Sequence, residues 1–228
     1  MNTTAAVLGP GAVGGSLAVR LSNAGVPVIC VAHPEAAGLI ALAGLVVESP
    51  EGALSGRMEV VEQLAKPVRL LLVTVKAPAL EDAVQRVDPD AVADGVVIPL
   101  LNGLEHMELL RERFGDRVAA GSMSHFQAYR AGRVQIIEAT GSPVITVASE
   151  SLPRGEIEAA AEILRRARLD DEPGEGDEAG RLGMRNADHG HPGIGEAHGE
   201  RAADGARAEN CRSRIHVFVG SLTRLTTF

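Results

Sequence analysis

A glycine-rich turn near the start of the chain has the residue types and spacing that bind a diphosphate. The turn reads Gly9-Pro10-Gly11-Ala12-Val13-Gly14-Gly15 and matches the pattern G-x-G-x-x-G. It follows a short apolar run from Ala5 to Leu8 and opens a helix predicted from Val13 to Ala24, which is the context that gives the pattern meaning. The turn therefore predicts a strand, a phosphate-binding loop and a helix.

Each glycine of this turn has a separate expected task. Gly9 permits the tight turn, Gly11 lets the backbone approach a pyrophosphate, and Gly14 lets the helix and strand pack closely. The free N–H groups and the dipole at the start of the helix favour an anion there. We expect the residues Gly9, Pro10, Gly11, Ala12, Val13 and Gly14 to bind a nicotinamide dinucleotide, and a purely structural glycine turn is the alternative.

The end of the second predicted strand bears on the choice between NAD and NADP(H). In NAD-specific folds, an acidic residue about 20 positions beyond the glycines binds the ribose hydroxyls. Here the strand from Val28 to Val31 leads into His33, and Glu35 follows only after Pro34. The absence of a carboxylate at the strand tip favours NADP(H), with His33 as a candidate partner of the 2'-phosphate. An exposed loop histidine is the other interpretation.

Two further polar residues follow predicted buried strands. Lys76 comes directly after the strand Leu70 to Val75, and Asn102 comes directly after the strand Val96 to Leu101. Ligands bind at the carboxyl edge of such a sheet. The ammonium of Lys76 could neutralise an anionic substrate or contact the cofactor. The side-chain amide of Asn102 could form a hydrogen bond with the nicotinamide ribose. Each residue taken alone is also consistent with an ordinary loop.

The elements that carry these residues alternate between strands and helices. A second helix is predicted from Glu35 to Ala43 with a stop at Gly44, another begins at Pro78, and a further one runs from Leu104 to Phe114. The alternation predicts an α/β fold of the Rossmann-like kind, a doubly wound and mostly parallel sheet with right-handed crossovers. Short strands are also expected at Leu45 to Glu48 and around Arg57 to Val61.

The segment after Phe114 changes character. Short apolar runs separated by Gly or Pro predict a small antiparallel extension, and a last helix is expected from Ile157 to Leu164. These runs are Val118 to Met123, Phe126 to Tyr129, Arg133 to Ile137 and Val144 to Ala148. We therefore expect an NADP-binding domain over residues 1–168.

The remaining residues, 169–228, are predicted to be a degenerate or disordered C-terminal segment. From Asp170 to Asn210 the only large aliphatic residues are Leu182, Met184 and Ile194, so the segment cannot bury enough apolar surface to offset its ordering entropy. The run Ile215 to Val219 is a strand fragment without an obvious partner. The abrupt change in composition is what an out-of-frame reading of a GC-rich gene would give.

Composition excludes several classes of partner. The net charge of −8 leaves no basic surface for a nucleic acid. No stretch approaches the roughly 20 apolar residues of a membrane span, so no membrane partner is expected. Cys30 and Cys211 lie far apart in the sequence, have no metal-ligand spacing and do not suggest a disulfide scaffold, which favours a reducing cytoplasm. His189, His191 and His198 are interpreted as solvated coil, and no metal site is predicted.

Four segments, in order, are similar to the ketopantoate reductase (2-dehydropantoate 2-reductase) family. They read GPGAVGG, LLLVTVKAPALEDAV, IPLLNGLEHMELLRERFG and AGRVQIIEATGSPVITVAS. The resemblance covers about Ala5 to Arg168. It implies NADPH-dependent reduction of ketopantoate to pantoate in pantothenate biosynthesis, with a small 2-keto acid as substrate. In that family the residues matching Lys76 and Asn102 line the cofactor and substrate cleft, and a general acid protonates the forming alkoxide.

The chain departs from the family in two respects. His33 stands where members usually carry Arg, and the helical second domain that supplies a proton-donating lysine and a substrate-binding acid is not found. Since Lys66 and Lys76 are the only lysines in the chain, the catalytic residue stays unknown. The alternatives are a non-catalytic dinucleotide-binding or regulatory module, and a reductase of another 2-keto acid. The oligomeric state stays open, with a homodimer as one alternative.

Overall fold

The computed structural model describes residues 3–140 and 143–167, together with the backbone of residues 215–219. In chain order, the strands are β1 (Ala5–Leu8), β2 (Val28–Val31), β3 (Leu45–Ser49), β4 (Gly52–Gly56), β5 (Glu59–Val61), β6 (Leu70–Val73), β7 (Val96–Pro99), β8 (Ala120–Ser124), β9 (Ala128–Arg130), β10 (Gln135–Glu138), β11 (Val144–Ser149) and β12 (Ile215–Val219). The α-helices are α1 (Ala12–Asn23), α2 (Pro34–Ala43), α3 (Leu80–Val84), α4 (His106–Phe114) and α5 (Arg154–Arg166). Short 3-10 helices lie at Ala77–Ala79, Pro89–Val92 and Gly115–Arg117.

Within these residues, the central sheet has five parallel strands in the order β5-β2-β1-β6-β7. Strands β1, β2, β6 and β7 are buried along their whole length, as expected of apolar strands covered on both faces. Helices α1 and α5 pack on one face, and α3 and α4 pack on the other. The chain winds outward from β1 to β5 and then returns to β6, so the order reverses between β1 and β6. The predicted α/β fold class is therefore confirmed.

A second sheet, in the order β4-β3-β10-β9, covers the outer side of α1. Its apolar side chains Leu45, Val47 and Ile136 form a small core with Val19 of α1. Since α1 packs on the central sheet as well, every residue from Gly14 to Leu21 is buried. A third sheet has the order β12-β11-β8.

The prediction of one small antiparallel extension is wrong. The four runs after Phe114 are divided between the second and third sheets, and β10 pairs in parallel with β3. Ile215–Val219, for which no partner was expected, pairs in parallel with β11. The sequence pattern marks an apolar strand but does not specify its partner, because pairing depends on residues far away in the chain. Strand β4 was also missed, since its sequence GALSG has only one large apolar residue.

The remaining predictions concern Cys30, membrane-spanning helices and residues that the structure does not describe. Cys30 is fully buried in β2, and burial raises the pKa of its thiol to about 12. Among the helices of the described residues, none combines the length and the apolar composition that a membrane span requires. The boundary at residue 168, the expected disorder from Asp170 to Asn210, the histidine cluster and Cys211 lie outside the described residues.

A buried ion pair joins α1 to the second sheet. Arg20 of α1 is 6% exposed and Glu138 of β10 is 2% exposed. The Arg20 Nη2 and Glu138 Oε2 atoms are 2.5 Å apart, Arg20 Nε donates to Oε1 at 3.1 Å, and the Ser16 hydroxyl also donates to Oε1. Burial acts to lower the pKa of Arg20, but Glu138 and the nearby Glu51 together raise it, so the guanidinium stays charged.

Removing the Glu138 carboxylate leaves this guanidinium buried without its main partner. We expect Glu138→Gln to lower the free energy of unfolding by about 3 kcal/mol, as measured by urea denaturation. Glu51→Gln is the matched control, because the Glu51 carboxylate is 3.7 Å from Arg20 and 46% exposed. The control should cost less than about 1 kcal/mol. Equal effects of the two substitutions would contradict the structural role of the buried pair.

Candidate functional site

The predicted site residues follow strands of the central sheet whose last residues pair with one another. In the central sheet, Leu8 at the end of β1 pairs with Val31 of β2 and with Val73 of β6, and Val73 pairs with Pro99 of β7. The carboxyl ends of these four strands therefore form one edge. Ligands of open α/β sheets bind at such an edge, in the crevice where the strand order reverses. Here that crevice lies between β1 and β6.

The structure brings the predicted polar residues to this edge. His33, Lys76 and Asn102 each follow their strand by two or three residues, and all three are exposed. His33 precedes α2, and its carbonyl accepts hydrogen bonds from Ala36 and Ala37 at 2.9 Å. Contacts of His33, Lys76 and Asn102 with a ligand remain a prediction. The topology places all three residues on the side of the sheet where a ligand would bind.

The glycines of the turn are required by local packing. Gly9 has a φ of +85°, and a Cβ added to it would lie 3.1 Å from the backbone of Val75. A Cβ on Gly14 would lie 2.6 Å from the Gly9 carbonyl oxygen and 2.9 Å from Val7 Cγ1. A Cβ on Gly11, in contrast, would have no neighbour closer than 3.8 Å. Gly9 and Gly14 are thus needed for the fold, whereas the space beside Gly11 is open to a ligand.

Thr74 holds the turn from the neighbouring strand. Its hydroxyl donates to the carbonyl oxygens of Gly9 and Leu8, with Oγ1–oxygen distances of 2.9 and 3.1 Å. Its backbone amide donates to the carbonyl oxygen of Leu8 at 3.0 Å. The amide of Gly11 also donates to the Gly9 carbonyl, at 2.6 Å. Thr74 is the only polar residue of the predicted strand Leu70 to Val75, and no role was predicted for it. A polar residue within an apolar run was the signal that could have identified it.

The N-terminus of α1 offers unpaired backbone donors. Gly11 is the N-cap residue and makes no side-chain capping bond, and the first turn contains no acidic residue. The amide of Gly15 makes the first bond of the helix, to the Gly11 carbonyl at 3.0 Å. The amides of Ala12, Val13 and Gly14 precede it and have no partner within the helix. They can therefore donate to an anion, which the helix dipole also stabilises.

Two histidines near the site were missed by the sequence reasoning. His106 begins α4, four residues after Asn102, and is 7% exposed. Burial lowers the pKa of its imidazole, against a smaller opposite effect of Glu105. His125 follows β8 and has a φ of 58°, a conformation that non-glycine residues rarely adopt. Nothing in the sequence pattern marked either residue.

The position of His125 follows from the direction of β8. Val118 forms a parallel bridge with Val97 of β7, so the chain continues through β8 beyond the carboxyl edge of the central sheet. The carbonyl of His125 accepts a hydrogen bond from Thr140 Oγ1 at 3.1 Å, which holds the loop. Strained residues are often found at binding sites, and this one lies beyond the edge where a ligand would bind.

Comparisons with known proteins agree with this architecture. A family model described as ketopantoate reductase PanE/ApbA matches residues 5–150. A 2-dehydropantoate 2-reductase from Caulobacter vibrioides is 39% identical over 110 residues, which are 46% of this chain and 35% of that protein. The uncharacterized oxidoreductase YkpB from Bacillus subtilis is 28% identical over 123 residues, 54% of this chain and 41% of its own length. The match thus spans less than half of either relative.

Solved structures show the same fold. A 2-dehydropantoate 2-reductase from Geobacter metallireducens superposes with a TM-score of 0.61 at 26% identity, over 72% of this chain and 55% of that one. A D-mandelate dehydrogenase, solved with NADH and anilino(oxo)acetate, has a TM-score of 0.64 at 23% identity, over 73% of this chain and 55% of that one. Since the residues matched by the family model exceed half of the chain, this protein belongs to the ketopantoate reductase PanE/ApbA family of oxidoreductases.

Proposed function

We propose that this chain binds NADP(H) at the turn from Gly9 to Gly14 and forms the coenzyme-binding part of a cytoplasmic 2-keto acid reductase. The reaction proposed is the reduction of 2-dehydropantoate to pantoate, a step of pantothenate biosynthesis. The observation that carries the proposal is the uncapped start of α1, which lies at the point where the strand order reverses and has open space beside Gly11. Family membership supports the choice of reaction.

Different residues at the sheet edge can bind different parts of the coenzyme. Amides of Ala12 and Val13 can donate to the pyrophosphate, which leaves one half of the dinucleotide to extend toward β2 and the other toward β6 and β7. His33 lies on the β2 side, where it can contact a 2'-phosphate. Lys76 and Asn102 lie on the side of β6 and β7. When bound, NADPH supplies the hydride for the reduction.

Lys76 and Asn102 are proposed to bind the nicotinamide ribose and the substrate. The Lys76 ammonium can neutralise the carboxylate of a 2-keto acid, and the Asn102 side-chain amide can donate to an oxygen of substrate or ribose. Both side chains are exposed at the edge and therefore accessible to a ligand. The proton donor of the reaction stays unassigned.

A second candidate function is a non-catalytic dinucleotide-binding or regulatory module. It is favoured by the lysine content of the residues that the family model matches, since these hold only Lys66 and Lys76, and Lys76 is assigned here to the substrate and not to the role of proton donor. Lys66 does not replace it, because its ammonium is 2.5 Å from the carboxylate of Glu59. A steady-state assay with ketopantoate and NADPH separates the two, since measurable turnover excludes a pure binding module. A reductase of another 2-keto acid would instead turn over only the alternative substrate.

Titration of the purified chain with NADPH tests the binding site itself. We expect saturable binding by the wild type, and a loss of at least about tenfold in affinity for Gly11→Val, because the valine side chain would occupy the space of the pyrophosphate. The melting temperature should change little, because a Cβ at Gly11 has no neighbour closer than 3.8 Å. Coenzyme fluorescence and thermal unfolding provide the two measurements.

Gly38→Val is the matched control for this substitution. Gly38 lies in α2, and a Cβ there would have no neighbour within 4 Å. Its coenzyme affinity should equal that of the wild type. If Gly11→Val binds NADPH as tightly as the control does, the turn is not the pyrophosphate site.

The preference for NADP(H) depends on His33, which lies at the tip of β2 where no carboxylate is present. We expect His33→Ala to lower NADPH affinity by about fivefold, because an exposed charge-assisted hydrogen bond to the 2'-phosphate is lost. NADH affinity should stay unchanged and serves as the internal control. Equal losses for NADPH and NADH would place His33 away from the 2'-phosphate.

A further inference from the structure

The side chain of Arg130 lies directly on the glycine-rich turn. Its Nη2 donates a hydrogen bond to the carbonyl of Pro10, with a nitrogen–oxygen distance of 2.6 Å. Its Nη1 donates to the carbonyl of Arg133, in the same β9–β10 hairpin. The planar guanidinium therefore connects the hairpin with the residue that precedes the N-cap of α1.

Strand register places Arg130 on this side of the second sheet. Arg130 is directly opposite Ile136 in the antiparallel pair of β9 and β10. Side chains of directly opposed residues lie on the same face of a sheet. Ile136 is fully buried, and its Cδ1 is 2.5 Å from where a Cβ on Gly15 would lie. The face that carries Ile136 and Arg130 therefore packs on the first turn of α1.

The contact bears on how the turn can accept an anion. Two carbonyl groups, those of Gly9 and Pro10, precede the N-cap, and a carbonyl oxygen without a donor would repel a nearby phosphate. The Gly9 oxygen accepts from Gly11 and Thr74, and the Pro10 oxygen accepts from Arg130. Each carbonyl thus has a donor. At Pro10 this donor also carries a full positive charge, because arginine stays protonated in proteins.

Arg130 is an exposed residue of β9, but its Nη2 atom reaches the carbonyl of Pro10, which is buried. Partial desolvation there lowers the pKa of Arg130, and the guanidinium still keeps its charge. The same contact fixes the planar peptide between Pro10 and Gly11, since orienting the carbonyl also orients the amide of Gly11.

We propose that Arg130 is a positioning residue of the coenzyme site, which fixes the Pro10–Gly11 peptide and adds positive charge for the pyrophosphate. The inference rests on the proposed function, because it requires that the turn binds a dinucleotide. It assigns a binding task to a residue that is outside the G-x-G-x-x-G pattern and about 120 residues from it in sequence.

The test compares Arg130→Met with Arg133→Met in the full chain. Both remove one positive charge from the same hairpin, and both residues are exposed, but only the Arg130 side chain donates to the turn, while Arg133 contacts Arg130 through its backbone carbonyl. Three probes contain the pyrophosphate: NADPH, NADH and ADP-ribose. We expect Arg130→Met to weaken all three by about tenfold, and Arg133→Met to change each by less than about twofold.

Two measurements distinguish this task from a merely structural one. Arg130→Lys keeps the charge and should recover most of the affinity, and the affinity of Arg130→Met should depend less on salt than that of the wild type. Circular dichroism and thermal unfolding verify that each variant is folded. Should the Met variant fail to fold, Arg130→Gln tests the charge separately, because its amide retains a hydrogen-bond donor without the charge, and wild-type affinity of this variant would overturn the role of the charge.

The contrary outcomes are separable from failure of the proposed function. If the wild type binds none of the three probes, the proposed function is wrong and this inference is wrong with it. If the wild type binds them and Arg130→Met binds them equally well, only the inference is overturned. A loss confined to NADPH also overturns it, because Arg130 would then contact the 2'-phosphate rather than support the pyrophosphate turn.

Discussion

The close approach of α1 to the central sheet at Gly14 is the constraint on which the site depends. Any side chain at Gly14 would collide with Val7 and Thr74, so only glycine lets the first turn of the helix lie directly over β1 and β6. That approach aims the unpaired amides at the start of α1 toward the edge where four strands end. The residues at the strand ends therefore share one crevice with the helix N-terminus.

The second sheet holds the same helix from its other side. Gly15 meets Leu45 and Ile136, and further along α1 the Arg20–Glu138 pair ties the helix to β10. A buried ion pair of this kind costs desolvation, so it is weak evidence of net stability, and we infer that its role is to fix one register between the helix and the sheet. Because β9 belongs to this sheet, the register that places Ile136 on Gly15 also places a cation on the turn.

Elements of this fold could be predicted where they depend on nearby residues in the sequence, and could not be predicted where they depend on residues far apart in it. Strands β1 and β2 match their predicted bounds to the residue, because each is an apolar run bounded by local turn signals. Strands β6 and β7 end two residues before their predicted ends, since Thr74 bonds back to the turn and Pro99 has no amide proton. The partner of β10 and the contact of Arg130 with Pro10 depend on long-range register, which no local pattern encodes.

Local donors also explain how an acidic chain can bind an anionic coenzyme. The net charge of −8 opposes the approach of a diphosphate, but at physiological salt that long-range field is screened within about 8 Å. Within that distance of the turn, the structure offers backbone amides, a helix N-terminus without an acidic residue in its first turn, and the cation of Arg130. Charges that lie farther away contribute little by comparison. The proposed affinity for a pyrophosphate would therefore depend on the arrangement of a few residues and not on the overall charge of the protein.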